Sequence, residues 1–282
     1  MAEIIKGSNV AAGMKETLLS ELEKLKARHV EPTLGIVRVG SRADDLAYER
    51  GILRRFEELG IGTRIFEFPE TMNAGDFLGE FSKIDASPDL QGILLFRPLP
   101  KHLDEETIRR SIDPSKDVDG MSPLNVAKVF AGDGEGFAPC TSVAVMELLS
   151  HTGVDLTGKN VVIIGRSMVI GRPLAMLMMN RNATVTVCHR KTRNTPEICR
   201  GADILVAAAG QAQMVTPAFV SPGTIVIDVG INMKDGKLCG DVDYDAVAPL
   251  VSMITPALGG VGAVTTSVLA KHLLKAATKG FL

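Results

Sequence analysis

The chain has 282 residues, long enough for two domains with a real core, and an ordinary apolar share with four per cent aromatics and no tryptophan. Its 31 Lys and Arg against 33 Asp and Glu give a net charge of -2, which argues against a nucleic-acid partner, since no basic stripe exists to neutralise phosphates. No apolar run reaches the length of a membrane span, and residues 1–15 lack the continuous apolar segment of a signal peptide.

In chain order, Ser8 caps a first predicted helix whose Val10, Met14, Leu18, Leu22 and Leu25 share one face, and Pro32 ends the pattern. Leu34–Gly40 reads as a strand, Asp44–Leu59 as a helix stopped at Gly60, Arg64–Phe68 as a strand and Ala74–Ile84 as a helix. Gly92–Phe96 is a third strand, closed by Arg97-Pro98-Leu99-Pro100. The stretch from Pro114 to Pro139 changes character, with Asp117-Val118-Asp119-Gly120 and a glycine-rich loop at Gly132–Gly136. A helix over Ser142–Leu149 leads into a second run of strands at Val161–Ile164, Thr184–Cys188, Ile204–Val206 and Thr224–Asp228. A turn-rich loop, Thr255–Gly262, and a last amphipathic helix, Val264–Ala276, complete the pattern. Strands alternating with helices at this spacing predict an α/β fold with mostly parallel sheets. The expected division is a first domain of residues 1–139 plus 264–282 and a Rossmann-like domain of residues 140–263. The C-terminal helix folds back on the first.

The four cysteines and five histidines are dispersed, without ligand spacing or a disulfide framework. The sequence therefore predicts no metal, a core role for Cys188, and a soluble protein of the reducing cytoplasm.

The most informative stretch runs from Val161 to Pro173. Four β-branched residues form a strand buried on both faces, Gly165 turns the chain, and Gly171 and Pro173 open a helix. A glycine turn leading into a helix N-terminus is an anion site, because free N–H groups and the positive dipole end converge there. Ser167 stands where the second glycine of G-x-G-x-x-G would be, so the pattern alone is weak. The second strand of this unit ends in His189-Arg190-Lys191, where an NAD-specific site usually carries Asp or Glu. With Arg166 in the first turn, two guanidinium groups favour a 2′-phosphate, and hence NADP, with NAD as the lesser possibility. Arg190 and Lys191 also fit a plain solvated loop.

Several motifs now fall in order. They are Lys116-Asp117-Val118-Asp119-Gly120, Pro139-Cys140-Thr141, Gly165-Arg166-Ser167 through Gly171-Arg172-Pro173, Asp228-Val229-Gly230-Ile231-Asn232, Gly240-Asp241-Val242, and Thr255-Pro256 with Gly259-Gly260-Val261-Gly262. Together they resemble the methylenetetrahydrofolate dehydrogenase/cyclohydrolases of one-carbon metabolism over nearly the whole chain. The resemblance implies two α/β domains with a cleft between them, a homodimer, a folate substrate on the first domain and NADP on the second. It implies that Asp119 binds the pterin ring and that Tyr48 lies over the reacting one-carbon group. Pro98, Leu99, Gly259 and Gly260 would line the folate site, and Gly165, Arg166, Ser167, Arg190 and Ile231 would contact the dinucleotide. Read without the resemblance, Asp119 is a turn-former and Tyr48 one more residue of an amphipathic helix.

Four positions depart from the family pattern. The lysine expected one helical turn after the tyrosine is Ile52, and the glutamine expected before Pro-Leu-Pro is Phe96. Leu258 and Ala263 also replace the prolines that flank the glycine loop. Hydride transfer from a methylene bridge to nicotinamide needs positioning rather than a protein proton carrier. Hydrolysis of the methenyl product does need one, and isoleucine cannot serve. Lys101 and Lys116 are the loop candidates for a substitute. The sequence thus predicts a dehydrogenase with weak or absent cyclohydrolase activity. The alternatives are a shikimate dehydrogenase-like NADP oxidoreductase and a degenerate folate or dinucleotide binder.

Overall fold

The chain starts with a two-residue strand, β1 (Glu3–Ile4), and a long helix, α1 (Gly7–Lys26). This computed structural model describes residues 2–279; Met1 and residues 280–282, assigned by the sequence to the first domain, lie outside them. The chain divides into two units. One holds Met14–Cys140 and the chain from Thr266 onward, and the other holds Thr141–Thr265 with the N-terminal stretch through Gly13. The N-terminal stretch thus departs from the sequence-based division. The physical reason is β1, whose Glu3 and Ile4 pair in parallel with a strand near the C-terminus that the sequence pattern is too short to reveal.

The first unit continues as β2 (Thr33–Val39), α2 (Ala43–Leu59), β3 (Gly62–Phe68), α3 (Ala74–Asp85), β4 (Gly92–Leu95), α4 (Glu105–Ser111) and α5 (Pro123–Ala131). Its strands form a parallel sheet in the order β3-β2-β4 among the described residues. Helix α2 buries Glu49, Ile52, Phe56 and Leu59, a stripe at helical spacing, and stops where Gly60 adopts φ 71° and caps with its N–H. Asn73 caps α3, and Ser122 with Pro123 starts α5. The apolar core under the sheet joins Val37, Phe77, Phe81, Ile93, Leu95 and Leu99.

The second unit opens with α6 (Cys140–His151), whose first residue still belongs to the first. It then runs through β5 (Asn160–Ile164), α7 (Gly171–Met179), β6 (Thr184–Cys188), α8 (Thr195–Arg200), β7 (Ile204–Ala207) and β8 (Ile225–Asp228). A hairpin of β9 (Asn232–Lys234) and β10 (Lys237–Cys239) follows, turning at Asp235-Gly236, both at positive φ. After α9 (Tyr244–Val247) and β11 (Met253–Ile254), helix α10 (Gly262–Lys279) carries the chain back into the first unit. The sheet is parallel, in the order β6-β5-β7-β8-β11-β1 among the described residues. Cys188 is fully buried in its core, as the sequence pattern implied. The chain steps outward from β5 to β6 and returns to the other side at β7. That reversal makes the β5/β7 boundary the point where an open α/β sheet binds ligands. Among the described residues no helix is long and apolar enough to cross a membrane.

Candidate functional site

In the first unit, a polar cluster forms where β4 ends. Tyr48, half-buried on α2, sets its ring 5.7 Å from Phe96, the residue just past β4. The next residue, Arg97, joins proline through a cis peptide bond and aims its guanidinium between two carboxylates. Its Nη2 is 3.6 Å from Asp119 Oδ2, and its Nη1 is 3.6 Å from Glu105 Oε1. The Cys140 N–H donates to Asp119 Oδ1 at 3.0 Å. Burial raises the Asp119 pKa, while the Cys140 N–H and Arg97 pull it down. The outcome is a partly exposed carboxylate, held at Oδ1 by a backbone N–H and at Oδ2 by a guanidinium.

The segment before Asp119 is clamped from below. His272 on α10 hydrogen-bonds the Val118 carbonyl through Nδ1 at 2.8 Å, and Cys140 Sγ lies 3.7 Å from the same nitrogen. Burial holds His272 neutral, with its pKa lowered to about 4. Asp117, also buried, accepts the N–H groups of Met121 and Ser122 at 2.9 and 2.7 Å. The sequence marked Asp117 and Asp119 as one motif, but only Asp119 faces outward.

A second clamp fixes α2. Arg38 on β2 is only 4% exposed, yet its Nε meets Glu49 Oε2 at 3.1 Å and its Nη2 meets Glu67 Oε2 at 2.9 Å. Burial opposes its charge, but the two carboxylates more than offset this and raise its pKa. Glu49 adjoins Tyr48, so the pair sets the rotation of the helix that presents the tyrosine. Sequence reasoning missed Arg38 because a lone arginine in a strand reads as a solvated edge.

The predicted folate-site residues are placed unequally. Pro98 is exposed, whereas the Leu99 side chain packs in the core and leaves only backbone to offer. Ile52 is fully buried. Of the substitute lysines, Lys116 is committed, donating to the carbonyls of Asp85 and Ser87 at 2.6 and 2.7 Å. Lys101 is exposed on a turn. Gly259 and Gly260 belong to the second unit, where the Gly259 carbonyl accepts the Gly7 N–H at 2.8 Å at the start of α1.

The second unit carries the glycine turn at its switch point. Gly165 has φ 131°, and a Cβ there would collide with the carbonyl of Ala208, just past β7. A Cβ on Gly171 would collide in turn with the Gly165 carbonyl. The turn is therefore as tight as backbone permits, and Arg166 and Ser167 stand exposed at its tip. Ser167 Oγ accepts the Ile170 N–H at 3.1 Å, capping the approach to α7. Ile164 pairs with Cys188 across β5 and β6, so Arg166 and Arg190 leave neighbouring strands at the same level. The turn after β6 is ordered by Thr192, whose Oγ1 accepts the His189 N–H at 3.0 Å, and this leaves Arg190 exposed. Ile231, 61% exposed, lies past β8 at the same edge of the sheet. A tight glycine turn and two level guanidinium groups fit a phosphorylated dinucleotide.

Comparison with known proteins covers both units. The profile of the tetrahydrofolate dehydrogenase/cyclohydrolase NAD(P)-binding domain matches residues 139–281, and that of the catalytic domain matches residues 5–119. The bifunctional protein FolD of Clostridioides difficile is 51% identical over 275 residues, spanning 97% of this chain and 96% of its own length. Among solved structures, the bifunctional FolD methylenetetrahydrofolate dehydrogenase/cyclohydrolase of Campylobacter jejuni superposes with a TM-score of 0.96 at 37% identity, covering 99% of this chain and all of its own. The Trypanosoma brucei enzyme, solved with NADP and an inhibitor, gives a TM-score of 0.94 at 34% identity, covering 99% and 98%. A shikimate dehydrogenase from Aquifex aeolicus, at 10% identity and a TM-score of 0.54, shares the fold alone, so that alternative is not favoured. With both domain profiles matched in order along its length, the chain belongs to the tetrahydrofolate dehydrogenase/cyclohydrolase family.

Proposed function

We propose that the chain oxidises 5,10-methylenetetrahydrofolate to 5,10-methenyltetrahydrofolate with NADP, and that its cyclohydrolase step to 10-formyltetrahydrofolate is weak. The observation that carries the reading is Asp119, partly exposed and held by Arg97 and the Cys140 N–H, in the loop cluster that follows the Tyr48–Phe96 contact. When bound, NADP supplies the hydride acceptor. Asp119 receives the N–H donors of the pterin ring, and Tyr48 lies over the one-carbon bridge. Pro98 and the Leu99 backbone border the ring, and Gly259 and Gly260 are the further substrate-binding positions of the reading. Gly165, Arg166, Ser167, Arg190 and Ile231 hold the dinucleotide, with the two arginines on its 2′-phosphate.

The two flanking nitrogens of the substrate share the charge left by hydride departure, so this step asks the protein for placement, not for a proton acceptor. Hydrolysis asks for more: a proton must be taken from water and another given to the departing nitrogen. Ile52 offers no such group, and Lys116 is spent on two carbonyls. Arg55 is paired with Glu58 at 3.2 Å, and a guanidinium stays protonated in any case. The bifunctional relatives support retention of the second activity, and the burial of Ile52 supports its slowness.

We further infer a homodimer working in the cytoplasm. The outer edge of β3, with Ile65 40% exposed, supports the first point, because an uncovered strand edge invites pairing. Light scattering on the purified chain tests it.

Steady-state assays with methylenetetrahydrofolate and either NADP or NAD, following methenyl and formyl products separately, test the whole reading. Methenyl formation is expected with NADP, more slowly with NAD, and formyl product little above the enzyme-free rate. Absence of any coenzyme-dependent methenyl formation overturns the reading in favour of a degenerate binder.

A further inference from the structure

The second unit contains two buried carboxylates, Asp228 and Asp241, that hydride transfer does not use. Asp241 is fully buried and accepts four hydrogen bonds. Its Oδ2 takes the N–H groups of Ala209 and Gly210 at 2.6 and 3.0 Å, and its Oδ1 takes that of Gln211 at 2.8 Å. The fourth donor is Asn232 Nδ2, at 2.9 Å from Oδ1. Three successive backbone N–H groups thus converge on one anion, the geometry of a nest, which Gly210 permits with φ 63°. Asp228 does the same for the neighbouring loops, accepting the Gly230 and Asp241 N–H groups on Oδ1 at 3.1 and 3.0 Å and that of Val242 on Oδ2 at 3.1 Å. The two interlock. A Cβ on Gly230 would strike the Asp241 carboxylate, and a Cβ on Gly240 would strike that of Asp228.

These loops have a defined place along the coenzyme. Ile164 pairs with Ala207, and Ala207 with Asp228, so Gly165, Ala208–Gln211 and Val229–Ile231 leave the sheet at one level and one edge. If the 2′-phosphate lies at Arg166 and Arg190 over β6 and the pyrophosphate at Gly165 over β5, the remaining half of the dinucleotide must lie over β7 and β8. That is where the Asp241 loops sit. Ile231 stands between Gly230 and Asn232, both anchored by the carboxylates, and is the exposed side chain they present.

We propose that Asp241, through this latch, is a positioning residue for the nicotinamide half of the coenzyme. The proposal rests on the NADP reading of the site. Replacing the carboxylate by an amide sets an NH2 group against N–H donors, so the loop after β7 and the Asn232 side chain must move. The adenosine half depends on Gly165, Arg166 and Arg190, which Asp241 does not touch.

Calorimetric titration of the full chain with NADP and, separately, with 2′,5′-ADP tests this, since the second ligand lacks the nicotinamide half. Asp241→Asn is expected to weaken NADP by about tenfold or more while leaving 2′,5′-ADP within about twofold, the scale of one or two charged hydrogen bonds. Asn232→Ala, which spares all three backbone bonds, should give the same split at about threefold, and it decides the matter if Asp241→Asn does not fold. General loosening of the unit would weaken both ligands alike. Equal losses, or variants that bind NADP as tightly as wild type, overturn the proposal. Wild-type protein binding neither ligand would overturn the NADP reading itself, and this inference with it.

Discussion

The ring of Tyr48 lies 5.7 Å from that of Phe96, the two planes inclined by 30°. This tilted contact is worth about 0.5–1.5 kcal/mol beyond the area it buries, and it restrains the phenol proposed to cover the one-carbon group. Phe96→Leu keeps the apolar volume but removes the ring. It should lower kcat/KM for methylenetetrahydrofolate by about 3- to 10-fold, the rate equivalent of that contact energy. NADP affinity should stay at the wild-type value. An unchanged kcat/KM would mean that the Phe96 ring does not orient Tyr48.

Ile52 follows Tyr48 by one helical turn and is fully buried. A lysine there would lose its hydration, and desolvation lowers a lysine pKa toward the range where it exchanges protons at neutral pH. Ile52→Lys should therefore raise formyl product formation by about tenfold or more, a modest share of what a positioned proton carrier contributes. Its melting temperature should fall, because a charge enters an apolar site. Adding Phe96→Gln should raise the rate further. Product analysis by absorbance at two wavelengths checks both, and an unaltered formyl rate would show that a missing lysine is not the limit.

Asp119 and Arg97 form a pair whose members are separable by mutation. Asp119→Asn removes the acceptor charge and should raise KM for the folate by about 10- to 100-fold, the range for losing hydrogen bonds to a charged group. Arg97→Leu leaves the carboxylate in place and should cost less, while raising the Asp119 pKa further, since the guanidinium is one of the groups holding it down. The acid limb of kcat/KM against pH should then move upward in Arg97→Leu. A limb that does not move would assign the profile to another group.

Two buried groups set opposing pH dependences of stability. His272 has its pKa lowered to about 4 by burial, so its contribution is complete above about 6.5 and is lost as pH falls toward 4. Asp228 has its pKa raised to about 6 by burial, against the pull of three N–H donors, so its contribution is present below about 4 and is lost as pH rises through 6. The two partly cancel in wild type. His272→Phe isolates one of them: the stability gap between wild type and variant should shrink by roughly 2 kcal/mol from pH 7 to pH 5. Urea unfolding at the two values measures it. A gap independent of pH would mean that His272 is protonated or exposed to the same degree in both states.

The strands and helices with clear periodicity were readable in advance. Long apolar runs such as Val161–Ile164 and the α2 stripe need no tertiary context to declare themselves. The glycine turn at Gly165 was readable too, because only a sharp backbone bend demands that residue there. Short elements were not: β1 and β11 have two residues each, too few for any period, and exist only by pairing with each other and with β8. Helix α5 is hard to read although Ser122-Pro123 and Gly132 bracket it with ordinary start and stop signals. The surrounding prolines and glycines carry the composition of a loop and mask it. The polar cores were the least visible part. Arg38, Arg97, Asp241 and His272 each depend on a partner far away in sequence, and spacing carries no record of such a match.

The crossed arrangement of Asp228 with Gly240 and Asp241 with Gly230 bears on how this sequence can evolve. Each aspartate fills the space that the other motif's glycine leaves vacant, so neither glycine can gain a side chain while its opposite acid stays. A saturation library should find all four positions intolerant one at a time. Viable exchanges should surface only as simultaneous changes, an epistatic block at the buried base of an otherwise permissive surface hairpin.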